Sequence, residues 1–225
     1  MLMEKRFQEI LRILEEQGTV SVQDLTESLD ASEATIRRDL SQLAQMGKLK
    51  KIYGGAASLE TGYQTREIRV EERQELYVEE KKQIAKYAAS LIEPGDFVYV
   101  DAGSSTEYLV EYIEERDASY VTNSMSHALK LAGRGMKVSI LGGNVKGTTE
   151  AVVGADAMET LRRYHFTRGF WGADGIRKKE GCTTPEMEEA AVKRLSMKQT
   201  RECYVLCDGS KFGKIAQVTF AELAD

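Results

Sequence analysis

Histidine is nearly absent from this chain. His127 and His165 are the only two in 225 residues, and neither belongs to a metal-ligand spacing. Zinc sites and histidine-based triads are therefore not expected, and no metal or other cofactor is assigned. Cysteine is scarce and odd in number, with Cys182, Cys203 and Cys207, so a disulfide framework is not expected either. Cys203 and Cys207 flank a strand-like "YVL", which predicts both thiols on one buried face. No apolar run approaches the roughly 18 residues that a membrane span needs. The opening "MLMEKRFQEI" has no apolar stretch of signal-peptide length. The expected compartment is the cytoplasm, with no membrane partner. An excess of positive charge is missing too. Lys and Arg number 31 against 36 Asp and Glu, a net of −5, so any contact with a polyanion must be local. No internal repeat and no low-complexity tract is present. What remains is 42% hydrophobic and 30% charged, the composition of an ordinary globular protein. The length suits one large domain or two modest ones.

The first fifty residues carry helical periods. Phe7, Ile10, Leu11 and Leu14 fall at i, i+3, i+4 and i+7, which predicts one apolar stripe on a helix over 3–17, ended by Gly18. Ser21 followed by Asp24 has the spacing of a capping box, and Val22, Leu25 and Leu29 line a second, shorter helix. Ser32 is placed to cap a third, whose apolar positions are Ile36, Leu40 and Leu43 and which Gly47 stops. At 100° per residue, the opposite face carries Ala34, Thr35, Arg38, Ser41 and Gln45, with Arg37 at its edge. Small and hydroxylic side chains flanked by arginines suit a helix entering the major groove. Short residues allow close approach, and guanidinium groups fork onto guanine or phosphate.

After that helix, "GKLKKIYGGAASL" alternates Leu49 and Ile52 with lysines, which predicts a β-hairpin wing with Gly54 and Gly55 as its flexible part. Lys48, Lys50 and Lys51 suit the phosphate backbone, and Tyr53 or the glycines can lie against sugar or phosphate. Residues 1–58 hold eight bases and nine acids, a net of −1, whereas residues 37–51 hold five bases and one acid, a net of +4. The positive field is thus concentrated on the third helix and the wing. A merely solvated charged face is the bland alternative. Three short helices followed by a basic wing favour double-stranded DNA as the partner.

Residues 58–76 are polar, charged and without an apolar period, and read as a linker, helical toward its end. From Tyr77 onward strands and helices alternate, which predicts an α/β domain with a largely parallel central sheet. The expected organisation is 1–57 for DNA binding, 58–76 as linker and 77–225 as a ligand-binding domain. Ligands in such sheets bind at the carboxyl ends of strands, and the chemically suggestive loops all fall there. They are Asp101 with Gly103, Ser104, Ser105 and Thr106; Thr122, Asn123 and Ser124; Gly142 and Gly143; Asp174; and Asp208 with Lys211. Glycine lets a backbone approach an anion, and hydroxyls and helix N–H groups point at it. Lys193 and Lys211 can neutralise a phosphate, and Asp101 or Asp208 can accept sugar hydroxyls. Any one such loop is an ordinary βα turn, but five at one edge point to a small anionic ligand.

The stretch "DASEATIRRDLSQLAQMGKLKKIYGGA" resembles the winged helix-turn-helix of the DeoR family. Ser32, Thr35, Ile36, Arg37, Arg38, Asp39, Leu40, Gly54, Gly55 and Ala56 carry the match. Tyr53 departs from it, since the family usually has histidine there. The second half, from "IAKYAASLIEPGDFVYVDAGSST" to "DGSKFG", is similar to the effector domain of that family. The resemblance implies a fold related to ribose-5-phosphate isomerase and CoA-transferase domains. It also implies repression of sugar-catabolic operons under control of a phosphorylated sugar. The wording around "ILGGNVKGTTEAVVGADAMETL" and "GCTTPEMEEAAVKR" looks closest to the fructose operon repressor branch, which makes fructose 1-phosphate the first effector to test. Members usually continue about one strand–helix unit beyond "AQVTFAELAD", so a truncated or missing unit is expected.

Two functions are compatible with the residues. A repressor would need two or more copies to read a repeated operator, so a homo-oligomer, dimer or tetramer, is expected. The alternative is a sugar-phosphate isomerase carrying a DNA-binding head. Glu186 or Glu189 would then be the base, beside Lys193 and Asp174. Acids are also common at the start of a helix for electrostatic reasons alone.

Overall fold

The computed structural model describes residues 3–17, 19–58 and 70–223. The expected stop at Gly18 and most of the linker lie outside them. Contacts divide the chain into two units, Met1–Gln64 with Phe212–Lys214, and Thr65–Lys211 with Ile215–Asp225.

The first unit runs α1 (Met3–Gln17), β1 (Thr19–Ser21), α2 (Val22–Leu29), α3 (Glu33–Gln45), β2 (Lys50–Ile52) and β3 (Gly55–Ala57). The capping box is present: Asp24 N donates to Ser21 Oγ at 3.0 Å and Ser21 N to Asp24 Oδ2 at 3.4 Å. Ser32 caps α3, accepting from Thr35 N at 3.3 Å. Gly47, at φ +66°, reverses the chain so that Lys48 N reaches back to Leu43 O at 2.8 Å. Ile10, Leu14, Val22, Leu25, Leu29, Ile36, Leu40 and Leu43 form one buried cluster, as the periods require. Each fully buried aliphatic side chain contributes about 1.5–3 kcal/mol. Two features differ from expectation. Strand β1 is too short to show a period, yet it pairs antiparallel with β3 in a sheet of order β1-β3-β2. Gly55 belongs to β3 and is buried, so the wing turns at Tyr53 and Gly54 only.

The second unit begins with α4 (Val70–Gln74) and α5 (Val78–Ala89). It continues through β4 (Phe97–Val100), α6 (Ser104–Tyr112), β5 (Ser119–Thr122), α7 (Met125–Gly133) and β6 (Lys137–Ile140). The short β7 (Asn144–Val145) and β8 (Val152–Val153) follow, then α8 (Ala155–Leu161) and β9 (Phe166–Gly172). It ends with β10 (Gly175–Arg177), β11 (Gly181–Thr184), α9 (Met187–Lys198), β12 (Thr200–Leu206) and β13 (Val218–Ala221). Five of the strands form a parallel sheet of order β12-β9-β4-β5-β6. Alternation along β4 sends Val98 and Val100 into a cluster with Ala85, Ala88, Leu109 and Val110, and Tyr99 into another with Ala157, Leu161 and Val192. Both faces of the sheet are thus covered by helices, which is why "FVYV" is a continuous apolar run.

Three short strands assemble a separate antiparallel sheet, β10-β11-β13, and β7 pairs with β8. Neither was visible as a period. The cysteine expectation fails: Cys203, on the edge strand β12 of the parallel sheet, is exposed, Cys207, just after that strand, is only half-buried, and Cys182 alone is buried. From β4 the chain steps to β5 and β6 on one side and then returns to β9 and β12 on the other. The order reverses between β4 and β9, and the crevice outside their carboxyl ends is where such sheets take ligands.

Candidate functional site

The exposed face of α3 and the wing carry the cationic residues. Arg38, Lys48 and Lys50 are exposed and form no ion pair among the described residues. Arg37 makes one weak contact, Nη2 to Glu33 Oε2 at 3.4 Å, with both side chains more than half exposed. Such a surface pair is worth a few tenths of a kcal/mol and leaves the guanidinium available. Lys51 Nζ donates to Ser41 Oγ at 3.0 Å, and Ser41 Oγ donates to Arg37 O at 2.7 Å, which binds wing to helix. Ser32, Ala34 and Tyr53 are exposed and Thr35 is half-buried, its hydroxyl 2.9 Å from that of Ser32. Gly54 adopts φ +78° at the turn, and its carbonyl accepts from Val22 N at 2.9 Å. Gly55 has a packing reason of its own: a Cβ there would stand 2.0 Å from Val20 O.

Asp39, inside the "TIRRDL" run, points the other way. It is buried on the core side of α3, and Arg6 of α1 grips it with both Nε and Nη2, the latter at 3.1 Å from Oδ1. The hydrogen bond to Asp39 raises the Arg6 pKa above its ordinary value. This fork fixes the rotation of α3 relative to α1 and so determines which face is presented outward. A pairing across 33 residues leaves no local pattern to read.

In the second unit a cleft of about 410 Å³, including its open mouth, lies over the β4–β9 reversal. It is lined by the β4–α6 loop, the loop after β9, α9, α4 and the turn after β12. Among the expected residues, Gly103, Ser104, Ser105, Asp174, Lys193 and Lys211 line it. Asp101 lies just beneath, 1% exposed, where Lys193 Nζ and the Gly172 amide donate to its Oδ2, the amide at 3.3 Å. Burial raises the Asp101 pKa, and Lys193 and the amide pull against that rise.

Several expected residues shape the cleft instead of lining it. Asn123 Oδ1 accepts from Ala102 N at 2.8 Å and so pins the β4–α6 loop. Thr106 Oγ1 donates to Asp101 O at 2.6 Å. Thr122 Oγ1 accepts from Ser124 N at 3.0 Å, and Ser124 caps α7. Gly142 is exposed away from the cleft, and Gly143 adopts φ +140° where a Cβ would meet Val153 O at 2.4 Å. Asp208 is buried, its Oδ1 accepting from Ser210 N at 3.0 Å and its Oδ2 without a hydrogen bond.

Four contributors escaped the sequence reading. Arg73 from α4 pairs Nη1 with Asp174 Oδ1 at 2.8 Å, inside a stretch that composition marks as linker. Thr149 Oγ1 and Lys146 Nζ donate to Glu189 Oε1 at 2.6 and 2.9 Å. Burial would raise the Glu189 pKa, but Lys193, Thr149 and Lys146 together hold it below the ordinary value. Lys81, 2% exposed, donates to Arg73 O and to Ser104 Oγ, the latter at 3.1 Å. Burial lowers its pKa to about 8; Asp208 opposes the fall, and Lys211 and Arg73 add to it. Lys211 and Arg73 thus both lie within electrostatic reach of Lys81. An apolar period hides a lysine such as Lys81, since its stem packs like an aliphatic residue.

The set Glu186, Glu189 and Lys193 does not present a free base. Glu189 is buried and depressed, Lys193 is committed to Asp101, and Glu186 is paired with Lys146 at 3.4 Å. Among the described residues no helix is long and apolar enough to cross a membrane.

Two family models match the chain. Residues 6–62 match the DeoR-like helix-turn-helix domain and residues 77–225 the DeoR C terminal sensor domain. The chain is 38% identical over 230 residues to the uncharacterized HTH-type transcriptional regulator FruR of Bacillus subtilis, covering 100% of this chain and 89% of that protein. It is 33% identical over 224 residues to the lactose phosphotransferase system repressor of Staphylococcus epidermidis, covering 98% and 88%. Ribose 5-phosphate isomerase A from Methanocaldococcus jannaschii superposes with a TM-score of 0.46 at 15% identity, over 60% of this chain and 54% of that one.

Proposed function

The chain belongs to the DeoR family of DNA-binding transcriptional regulators, and we propose that it represses a sugar-catabolic operon until a phosphorylated sugar occupies the cleft. It is a regulator and not an enzyme, as the relatives over its full length indicate. The observation that supports the effector class is that Arg73 and Lys211 line the same cleft as Ser104 and Ser105, at the first turn of α6, with Lys81 donating to Ser104 Oγ at 3.1 Å. Helix N–H groups, hydroxyls and cations together suit a phosphate. Asp174 and Glu189, which line the same cleft, suit sugar hydroxyls, which donate to carboxylates. The resemblance of the sensor half to the fructose operon repressor branch makes fructose 1-phosphate the first candidate, and the lactose phosphotransferase system repressor among the relatives supports a sugar of phosphotransferase uptake.

In the first unit, the N-terminal half of α3 enters the major groove with Ser32, Ala34, Thr35, Arg37 and Arg38, while Lys48, Lys50, Lys51 and Tyr53 hold the phosphate backbone. Two or more copies act together on a repeated operator, since a single module of this size contacts too little DNA. The effector changes repression only if it binds one arrangement of the chain better than another.

Thermal shift with fructose 1-phosphate, fructose 6-phosphate, glucose 6-phosphate, fructose and inorganic phosphate tests the cleft. A true effector at a hundredfold excess over its Kd adds about 2.7 kcal/mol to stability. Lys211→Ala should weaken it. Equal shifts from fructose and its phosphates, or none from any phosphate, would remove the effector class. Arg38→Ala should cost about 1–3 kcal/mol in operator binding and relax sequence preference if Arg38 reads guanine. Unchanged binding would put the wrong helix in the groove.

A further inference from the structure

Helix α4 is held in place by polar tethers. Val70 is its one buried apolar residue, and Glu72, Arg73 and Gln74 follow as polar residues. Val70 N donates to Thr148 O at 3.2 Å, Arg73 Nη1 pairs with Asp174 Oδ1 at 2.8 Å, Lys81 Nζ donates to Arg73 O, and Tyr108 hydroxyl donates to Gln74 O at 3.0 Å. Two of these four tethers involve groups that an anion in the cleft would draw away. Arg73 and Asp174 both line it, and Lys81 also contacts Ser104, which lines it. Arg73 Nε is buried without a hydrogen bond, so the guanidinium has donor capacity left over. In sequence, residues 59–69 join α4 directly to the winged helix.

We infer that Arg73 is an effector ligand, and that its exchange from Asp174 to the bound phosphate is the event that reports occupancy along α4 to the DNA-binding end. The inference rests on the reading of the cleft as an anion site. The chemistry is a competition for one guanidinium. Asp174, itself fixed by Thr184 Oγ1 at 3.1 Å, holds Arg73 through Nη1. A phosphate offers more oxygens and more charge, and it takes Lys81 from the Arg73 carbonyl at the same time. Helix α4 then keeps only the Val70 and Tyr108 tethers. Four polar tethers and one buried aliphatic residue make α4 an element with two available states, which is what coupling between sites requires.

The full-length chain provides the test, with inorganic phosphate as ligand and a duplex selected in vitro by the wild-type protein as operator. Asp174→Asn removes the resting tether while leaving Arg73 in place. Ligand-free Asp174→Asn should bind the duplex with an affinity displaced by about fivefold or more, in the direction in which phosphate displaces the wild type. Arg73→Gln should be displaced likewise, and phosphate should move neither variant further. In wild-type protein, phosphate at constant ionic strength should speed amide exchange in the 70–76 peptide. An unshifted melting transition of the second unit shows that each variant is folded. If phosphate fails to stabilise the wild-type chain, the cleft reading falls and this inference with it. If phosphate stabilises the chain but Asp174→Asn binds the duplex as the wild type does, the cleft reading survives and this inference is overturned.

Discussion

Removing Arg6 should cost the winged-helix unit most of its stability. Asp39 is almost fully enclosed, with its side chain 3% exposed and that of Arg6 12% exposed. Arg6→Ala leaves a carboxylate on the core side of α3 with its forked partner gone. Breaking one side of a buried ion pair costs about 3–5 kcal/mol. A unit of about 60 residues has a total stability of roughly 3–9 kcal/mol, so the loss is comparable with the whole. At about 4 °C or more per kcal/mol for a domain of this size, its transition should fall by at least about 12 °C. Calorimetry on the full chain separates the two units, and amide exchange in the 33–45 peptide assigns the transition that moves. Arg6→Met combined with Asp39→Leu replaces both charges with apolar groups. It should restore stability to within about 1 kcal/mol of wild type or better, and operator binding with it. An Arg6→Ala chain that melts within about 1 kcal/mol of wild type would refute the claim that this pair orients α3.

Two further outcomes follow from the geometry. The Lys81 pKa is about 8, below its unfolded value, and a bound anion favours the charged form; the Lys81 contribution to phosphate affinity should therefore be full below pH 8 and fall up to about tenfold per pH unit above it. Calorimetric titration at pH 7 and pH 9 checks this, and equal affinities would dismiss Lys81 as a contributor. Gly55→Ala forces β1 and β3 apart, because its Cβ would meet Val20 O at 2.0 Å, and should destabilise the winged helix by about 1–3 kcal/mol. A Gly55→Ala chain with wild-type melting but lost operator binding would instead make Gly55 a direct contact.

Much of this architecture could be read from one sequence, for reasons that differ by element. The three N-terminal helices were legible because Ile10, Leu14, Leu25, Ile36 and Leu40 repeat with the helical period and Ser21 and Ser32 sit where caps belong. The parallel sheet was legible because strands covered on both faces are continuous apolar runs. The loops at its carboxyl edge were legible as positions, but their division of labour was not. Ser104, Ser105 and Lys193 reach the cleft, while Asn123 and Thr106 brace the chain behind it. Arg73 and Asp39 were opaque as partners because Asp174 and Arg6 are 101 and 33 residues away. Charge pairs across such distances obey tertiary geometry and leave no spacing in the chain. The strands β7, β8, β10 and β11, of two to four residues, are shorter than any window over which alternation can be counted.

Four of the cations around the cleft are already engaged with oxygens of the protein: Arg73 with Asp174, Lys193 with Asp101, Lys146 with Glu189, and Lys81 with a carbonyl and a hydroxyl. An arriving metabolite thus trades one oxygen for another, and the net gain is the small difference between two large attractions. On the reading proposed above, such trades would favour only anions that match the whole pattern and would release them readily, where a bed of bare charges would behave as a trap.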